Sequence, residues 1–111
     1  MKKIILLAMG LMLCGCSGSS SEVDIKQIME ENDYVIIDVR TKEEYEESHV
    51  TEAINIPHDE IDENIDISKD EVIFVYCRSG NRSAIAYNTL TDLGYTVYDL
   101  GAFDTIDLPK E

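Results

Sequence analysis

The chain has few basic residues, few cysteines and no apolar run long enough to cross a membrane. Nine Lys and Arg stand against 23 Asp and Glu, for a formal net charge of −14. A surface this acidic repels nucleic acid and anionic lipid headgroups, so neither is expected as a partner. The acidic residues are spread along the chain, as on a solvated surface. The three cysteines are Cys14, Cys16 and Cys77, with no Cys/His cluster, so neither a metal nor another cofactor is expected. The uncharged apolar stretch from Ile4 to Leu13 has ten residues, short of the ~20 that a membrane-spanning helix needs. There is no internal repeat, and 111 residues allow at most one domain.

The N-terminus reads as a targeting segment. Lys2 and Lys3 form a basic region ahead of the apolar stretch. Leu13-Cys14-Gly15-Cys16 then resembles the lipobox of bacterial lipoproteins, with Cys16 at the position that is cut and acylated in that family. Cys14 does not fit, because bulky Leu13 precedes it directly. The implied division is a signal peptide over 1–15, a lipidated cysteine with a small, polar tether over 16–21, and a domain over 22–111. The implied location is extracytoplasmic, held to a bacterial membrane by lipid. Such processing removes Cys14 and caps Cys16, leaving Cys77 as the one free thiol, which excludes a disulfide within the chain. Losing Lys2 and Lys3 leaves seven basic residues against 23 acidic ones, a net charge of −16. A site for an anion must then supply its own positive field.

Taken in order, 22–31 reads as a helix with Ile25, Ile28 and Met29 on one face and Asp24 as N-cap. The β-branched run 34–38 reads as a buried parallel strand. Thr41 followed by Glu44 is a capping-box pattern that predicts a helix over 42–48, with Tyr45 as its inward anchor. A short strand over 53–56 ends at Pro57, and a helical turn falls within 58–67. The run 72–76 is a third buried strand, 83–93 a helix stopped by Gly94, 95–100 a last strand and 101–106 a helical turn. Strands alternating with helices predict an α/β fold, a mostly parallel central sheet of about five short strands with helices on both faces.

The chemistry gathers at Cys77, which stands at the carboxyl end of a buried strand and in front of a helix. A thiolate is the reactive form of cysteine, and neighbouring arginines or a helix N-terminus stabilise it. Arg78 and Arg82 supply the positive field, while Ser79, Gly80 and Asn81 are small enough for the backbone to fold tightly. Consecutive N–H groups of such a turn, from Arg78 to Ser83, are expected to form a cradle for an anionic sulfur.

Tyr76-Cys-Arg-Ser-Gly-Asn-Arg-Ser83 resembles the active loop of rhodanese-like domains. Ile37-Asp-Val-Arg40, Glu44-Tyr45, Ser48-His-Val, Ala53-Ile-Asn-Ile-Pro57 and Gly94-Tyr-Thr-Val-Tyr-Asp-Leu-Gly101 follow that family's other motifs in order. The resemblance spans about 22–108. It implies a small rhodanese-like fold and sulfur transfer through a persulfide, from a donor such as thiosulfate to a thiol or cyanide. On that reading Cys77 is the nucleophile, the amides of Arg78, Ser79, Gly80, Asn81, Arg82 and Ser83 hold the persulfide, Arg82 orders the loop and Arg78 meets an anionic donor. Asp38, Arg40 and His49 are expected as structural support, His49 holding the fold rather than acting as a base. A monomer is expected. The chain departs from the family at Ser48 and Glu52, where glycines are common, and after Gly101-Ala102-Phe103, where a second glycine, a tryptophan and a longer helix are usual.

Three other readings use the same residues. Phosphatase or arsenate-reductase loops also join a cysteine to an arginine but carry one more residue between them than the four here, giving room for a tetrahedral oxyanion. A non-catalytic, persulfide-binding module usually lacks the cysteine. A thiol-redox role is weakened by the lack of a second, resolving cysteine.

Overall fold

A computed structural model describes residues 24–111. The proposed signal segment, Cys16 and the tether lie outside the described residues. Helix α1 (Ile25–Glu31) opens on Asp24, whose side chain accepts from the Gln27 amide. Strand β1 (Tyr34–Asp38) leads to α2 (Lys42–Glu47), which opens on the full capping box of Thr41 and Glu44. Strand β2 (Ile54–Asn55) and a 3-10 turn (His58–Glu60) follow. Then come β3 (Val72–Cys77), α3 (Asn81–Asp92), β4 (Thr96–Ala102) and a 3-10 turn (Phe103–Thr105).

The sheet has the order β2-β1-β3-β4 and every pairing within it is parallel. β3 lies in the interior with all six residues buried, as its apolar run requires. Its side chains alternate between two cores. Ile73, Val75 and Cys77 pack with Ile37, Ala86 and Leu90 on the α3 side. Val72, Phe74 and Tyr76 pack with Ile36, Val50 and Ile106 on the other side, covered by Ile25, Ile28, Met29 and Tyr45 of α1 and α2. Helices therefore cover both faces, as expected.

Among the described residues the sheet has four strands rather than about five. Among the described residues the one further pairing is an isolated antiparallel bridge, Val50 with Lys110. His49 and Glu111 exchange both backbone bonds, at 2.9 and 2.8 Å, and the Thr51 amide donates to the Pro109 carbonyl at 2.8 Å. Pro109 has no N–H to return that bond, so the ladder does not extend into a strand.

The start of α3 also differs from expectation. It begins at Asn81, two residues ahead of Ser83, with Gly80 at the N-cap in a left-handed conformation (φ 101°) and no side-chain cap. Arg82 and Ser83 therefore belong to the first turn of the helix, and the connection from β3 is only Arg78 to Gly80. The far end matches expectation. Gly94 (φ 101°) donates to the Thr91 carbonyl and Tyr95 to the Leu90 carbonyl, closing α3 with a Schellman motif.

Candidate active site

The sulfur is placed by the end of β3. In β4 one extra residue, Leu100, bulges out of register between the pairs Val75–Asp99 and Tyr76–Gly101. Gly101 takes a positive φ of 83° there, and its amide donates to Asp99 Oδ1. The bulge brings Ala102 beside Cys77.

Cys77 is fully buried, and its Sγ accepts the Gly80 amide at 2.9 Å. The thiol lies 3.6 Å from Ser83 Oγ, and the Ser83 hydroxyl in turn donates to the Gly80 carbonyl at 3.1 Å. Burial alone would push the thiol up. The Ser83 hydroxyl and the amides of Ser83, Gly80 and Ser79 outweigh that burial and hold Cys77 below its ordinary value. The helix end assists, since the first N–H groups of α3 have no partner within the helix. Cys77, Ser79, Gly80 and Ser83 are thus brought together. Arg78, Ser79 and Asn81 form the exposed rim.

Arg82 takes a partner that the sequence reading did not give it. Its Nη1 and Nη2 donate to Glu44 Oε1 and Oε2 at 2.9 and 3.3 Å. Glu44 Oε1 also accepts the Thr41 amide and hydroxyl. The Arg82 guanidinium holds the Glu44 carboxyl well down, to about 2, and Glu44 in turn raises Arg82. The pair ties the first turn of α3 to the first turn of α2, which lie on opposite faces of the sheet. The capping-box spacing identified Glu44, but gave no sign that one carboxylate would serve two helices.

Behind the sulfur, on the other face of the sheet, lies a buried polar network. Arg40 Nε and Nη2 grip the Asp38 carboxylate at 2.7–3.0 Å, and Nη2 also donates to the Ser48 carbonyl. Burial would lower Arg40, but the Asp38 hydrogen bonds and charge outweigh it and raise it. The Arg40 guanidinium stacks over the Phe103 ring, 4.5 Å from its centroid. The Tyr76 hydroxyl donates to Asp38 Oδ2 at 2.9 Å and accepts the Val50 amide at 3.0 Å. Tyr76 was the residue missed here. A tyrosine in a fully buried strand needs a partner for its hydroxyl, and that need was the available signal.

His49 lies in the connection after α2. Its Nδ1 is 2.8 Å from the Tyr45 carbonyl, its Nε2 is 3.2 Å from Glu111 Oε2, and its ring stacks on Tyr45 at 3.9 Å between centroids. Both ring nitrogens are engaged by the local fold.

Residues 21–104 match the family model described as Rhodanese-like domain. Thiosulfate sulfurtransferase PspE of Escherichia coli (strain K12) is 41% identical over 78 residues, which cover 67% of this chain and 75% of that protein. Thiosulfate sulfurtransferase GlpE of Coxiella burnetii is 31% identical over 88 residues, or 77% of this chain and 82% of that protein. Among solved structures, an Escherichia coli rhodanese with anions aligns with a TM-score of 0.65 and 35% identity, over 70% of this chain and 96% of that one.

Proposed function

Since the chain belongs to the rhodanese-like domain family, we propose that it is a sulfurtransferase working through a persulfide on Cys77. The observation that carries this reading is the buried Cys77 sulfur, met by the Gly80 amide at 2.9 Å at the N-terminus of α3. A thiolate held this way attacks the outer sulfur of a donor such as thiosulfate. The donor's S–S bond breaks, its electron pair leaves on sulfite, and Cys77–S–S⁻ remains. The outer sulfur then carries the negative charge, and the amides from Arg78 to Ser83 are suited to hold it. A thiol or cyanide takes that sulfur and returns Cys77 to a thiolate. Arg78, at the exposed rim, is the residue suited to meet an anionic donor.

The test is thiocyanate formation from thiosulfate and cyanide by the full chain, with intact mass after thiosulfate alone. The expected result is one added sulfur on Cys77, and loss of both signals in Cys77→Ser. Unchanged turnover in that variant, or hydrolysis of p-nitrophenyl phosphate without sulfur transfer, would overturn the reading.

We further propose that the chain is made as a lipoprotein, cut before Cys16 and held outside the cytoplasm by lipid. The support is the lipobox-like run from Leu13 to Cys16 behind a basic, then apolar, N-terminus. Labelled fatty acid should enter the protein in cells and fail to enter Cys16→Ser. Equal labelling of both would refute it.

A further inference from the structure

The two arginines of the thiol loop are used differently. Arg82 is turned to Glu44 through two hydrogen bonds, and both side chains are largely covered, 27% and 21% exposed. Glu44 is fixed independently by the Thr41 amide and hydroxyl, so it cannot swing away without opening the capping box. A guanidinium with a carboxylate against it presents a dipole, where an unpaired one presents a full positive charge to an incoming anion. Arg78 has no ion-pair partner among the described residues and remains the cation at the rim. Around it the molecule is acidic, 23 carboxylates to nine basic side chains. A dianion approaches against that field with one arginine to receive it, and a monoanion meets half the repulsion.

We infer that Glu44, by holding Arg82, sets the choice of sulfur donor, favouring persulfides and thiosulfonates of low charge over dianionic thiosulfate. This rests on the sulfurtransferase reading above. With a persulfide donor, the Cys77 thiolate bonds to the outer sulfur of R–S–S⁻, the donor S–S bond breaks, and R–S⁻ departs with the electron pair. With a thiosulfonate the leaving group is the sulfinate, R–SO₂⁻. Glu44 touches no reacting atom and acts as a positioning residue through Arg82. Arg82 in turn lies within electrostatic reach of Cys77, whose charge contributes to raising it.

Thiosulfate and methanethiosulfonate form a matched pair of donors. Each delivers one outer sulfur, the first as a dianion and the second as a monoanion. With the full chain and cyanide as acceptor, Glu44→Gln keeps a capping oxygen and removes the charge. Its ratio of kcat/KM, thiosulfate over methanethiosulfonate, should rise about tenfold at low ionic strength. The gain should shrink with added salt and vanish in the double variant Glu44→Gln/Arg82→Gln. A purely structural Glu44 would lower both donors in parallel, and that result, or a ratio within about twofold of wild type, overturns the inference. The wild type alone gives a second measurement, independent of how the variants fold. Added potassium chloride should raise kcat/KM for thiosulfate more than for methanethiosulfonate, and the reverse order overturns the inference. No transfer from either donor by the wild type would overturn the sulfurtransferase reading and this inference together, whereas wild-type transfer with an unmoved ratio overturns the inference alone.

Discussion

Replacing Ser83 by alanine tests how the loop holds Cys77 ready to ionise. The buried Ser83 hydroxyl has one proton and two acceptors within reach, the Gly80 carbonyl at 3.1 Å and the Cys77 sulfur at 3.6 Å. While the sulfur is protonated, its S–H donates to Ser83 Oγ and the hydroxyl donates to Gly80. On ionisation the hydroxyl can turn its proton to the thiolate, exchanging a neutral hydrogen bond for one to an ion. The first contributes ~0.5–1.5 kcal/mol and the second ~1.5–3 kcal/mol, and the S–H bond given up at the same time is weak, so the exchange favours the thiolate by at most about 1 kcal/mol. At ~1.4 kcal/mol per factor of ten, Ser83→Ala should raise the thiol pKa and disfavour the thiolate by up to about fivefold. The amides of Ser83, Gly80 and Ser79 survive the substitution and keep the change this small. Below both pKa values the thiolate fraction then falls by up to about fivefold, and alkylation slows by the same factor. Above both values the two proteins should react alike. The assay is the pH dependence of iodoacetamide alkylation, followed by mass on the Cys77 peptide. A midpoint within about 0.3 unit of wild type, or one that moves down, would refute the role given to the Ser83 proton.

Three further outcomes follow from the same contacts. Tyr76→Phe strips the Val50 amide of its partner while Asp38 keeps Arg40, so urea unfolding should show a loss of about 2 kcal/mol, and persulfide formation should persist because Tyr76 faces away from the sulfur. Glu44 is held at about 2 against an ordinary 4.5, so its contribution, at most about 3 kcal/mol, is complete above pH ~4.5 and is lost as pH falls through ~2. Urea midpoints of wild type and Glu44→Gln should therefore converge with acidification across that window, and a constant gap between them would contradict the assigned cause. Glu52 has a positive φ of 79° and its carboxylate accepts the Tyr34 hydroxyl at 2.8 Å. Glu52→Gly should be neutral within about 1 kcal/mol, strain relief offsetting the lost bond, whereas Glu52→Val should cost more than about 1 kcal/mol, and equal effects would show that the backbone there is unstrained.

Most of the scaffold was legible because its signals are carried by side chains. The β-branched runs of β1 and β3 need burial on both faces, and only a parallel interior position supplies it. Thr41 and Glu44 fixed the start of α2 by hydrogen bonds that their spacing alone dictates. The start of α3 was misplaced because its N-cap is Gly80, which has no side chain to announce it, and the first capping-type side chain in a helical pattern is Ser83. Its real cap is conformational, a positive φ that turns the backbone so that its own amide meets the sulfur. The pairing at Val50 and Lys110 was equally hidden, since it depends on where the chain returns and not on any pattern in 107–111. The glycines expected near Ser48 and Glu52 proved instructive in opposite ways. Ser48 has an extended backbone that any residue can adopt, whereas Glu52 occupies the region that favours glycine.

Glu44 shows how few side chains are needed to couple the scaffold to the chemistry. Its position three residues after Thr41 is explained fully by helix capping, yet at the carboxyl edge of the sheet the same carboxylate also accepts both terminal nitrogens of Arg82. α3 also begins at that edge, because a parallel sheet sends every strand out on the same side. An arginine in the first turn of α3 thus meets a carboxylate in the first turn of α2, although 38 residues separate them. The contact brings each helix N-terminus a charge of the other's making. The carboxylate suits the positive end of α2, while the guanidinium sits at the positive end of α3, where only the carboxylate and the nearby thiolate make it favourable. Removing the carboxylate would leave Arg82 with the sulfur, or an anion bound to it, as its remaining favourable partner. The same ion pair therefore bears on the order of the loop and on the charge the loop will accept.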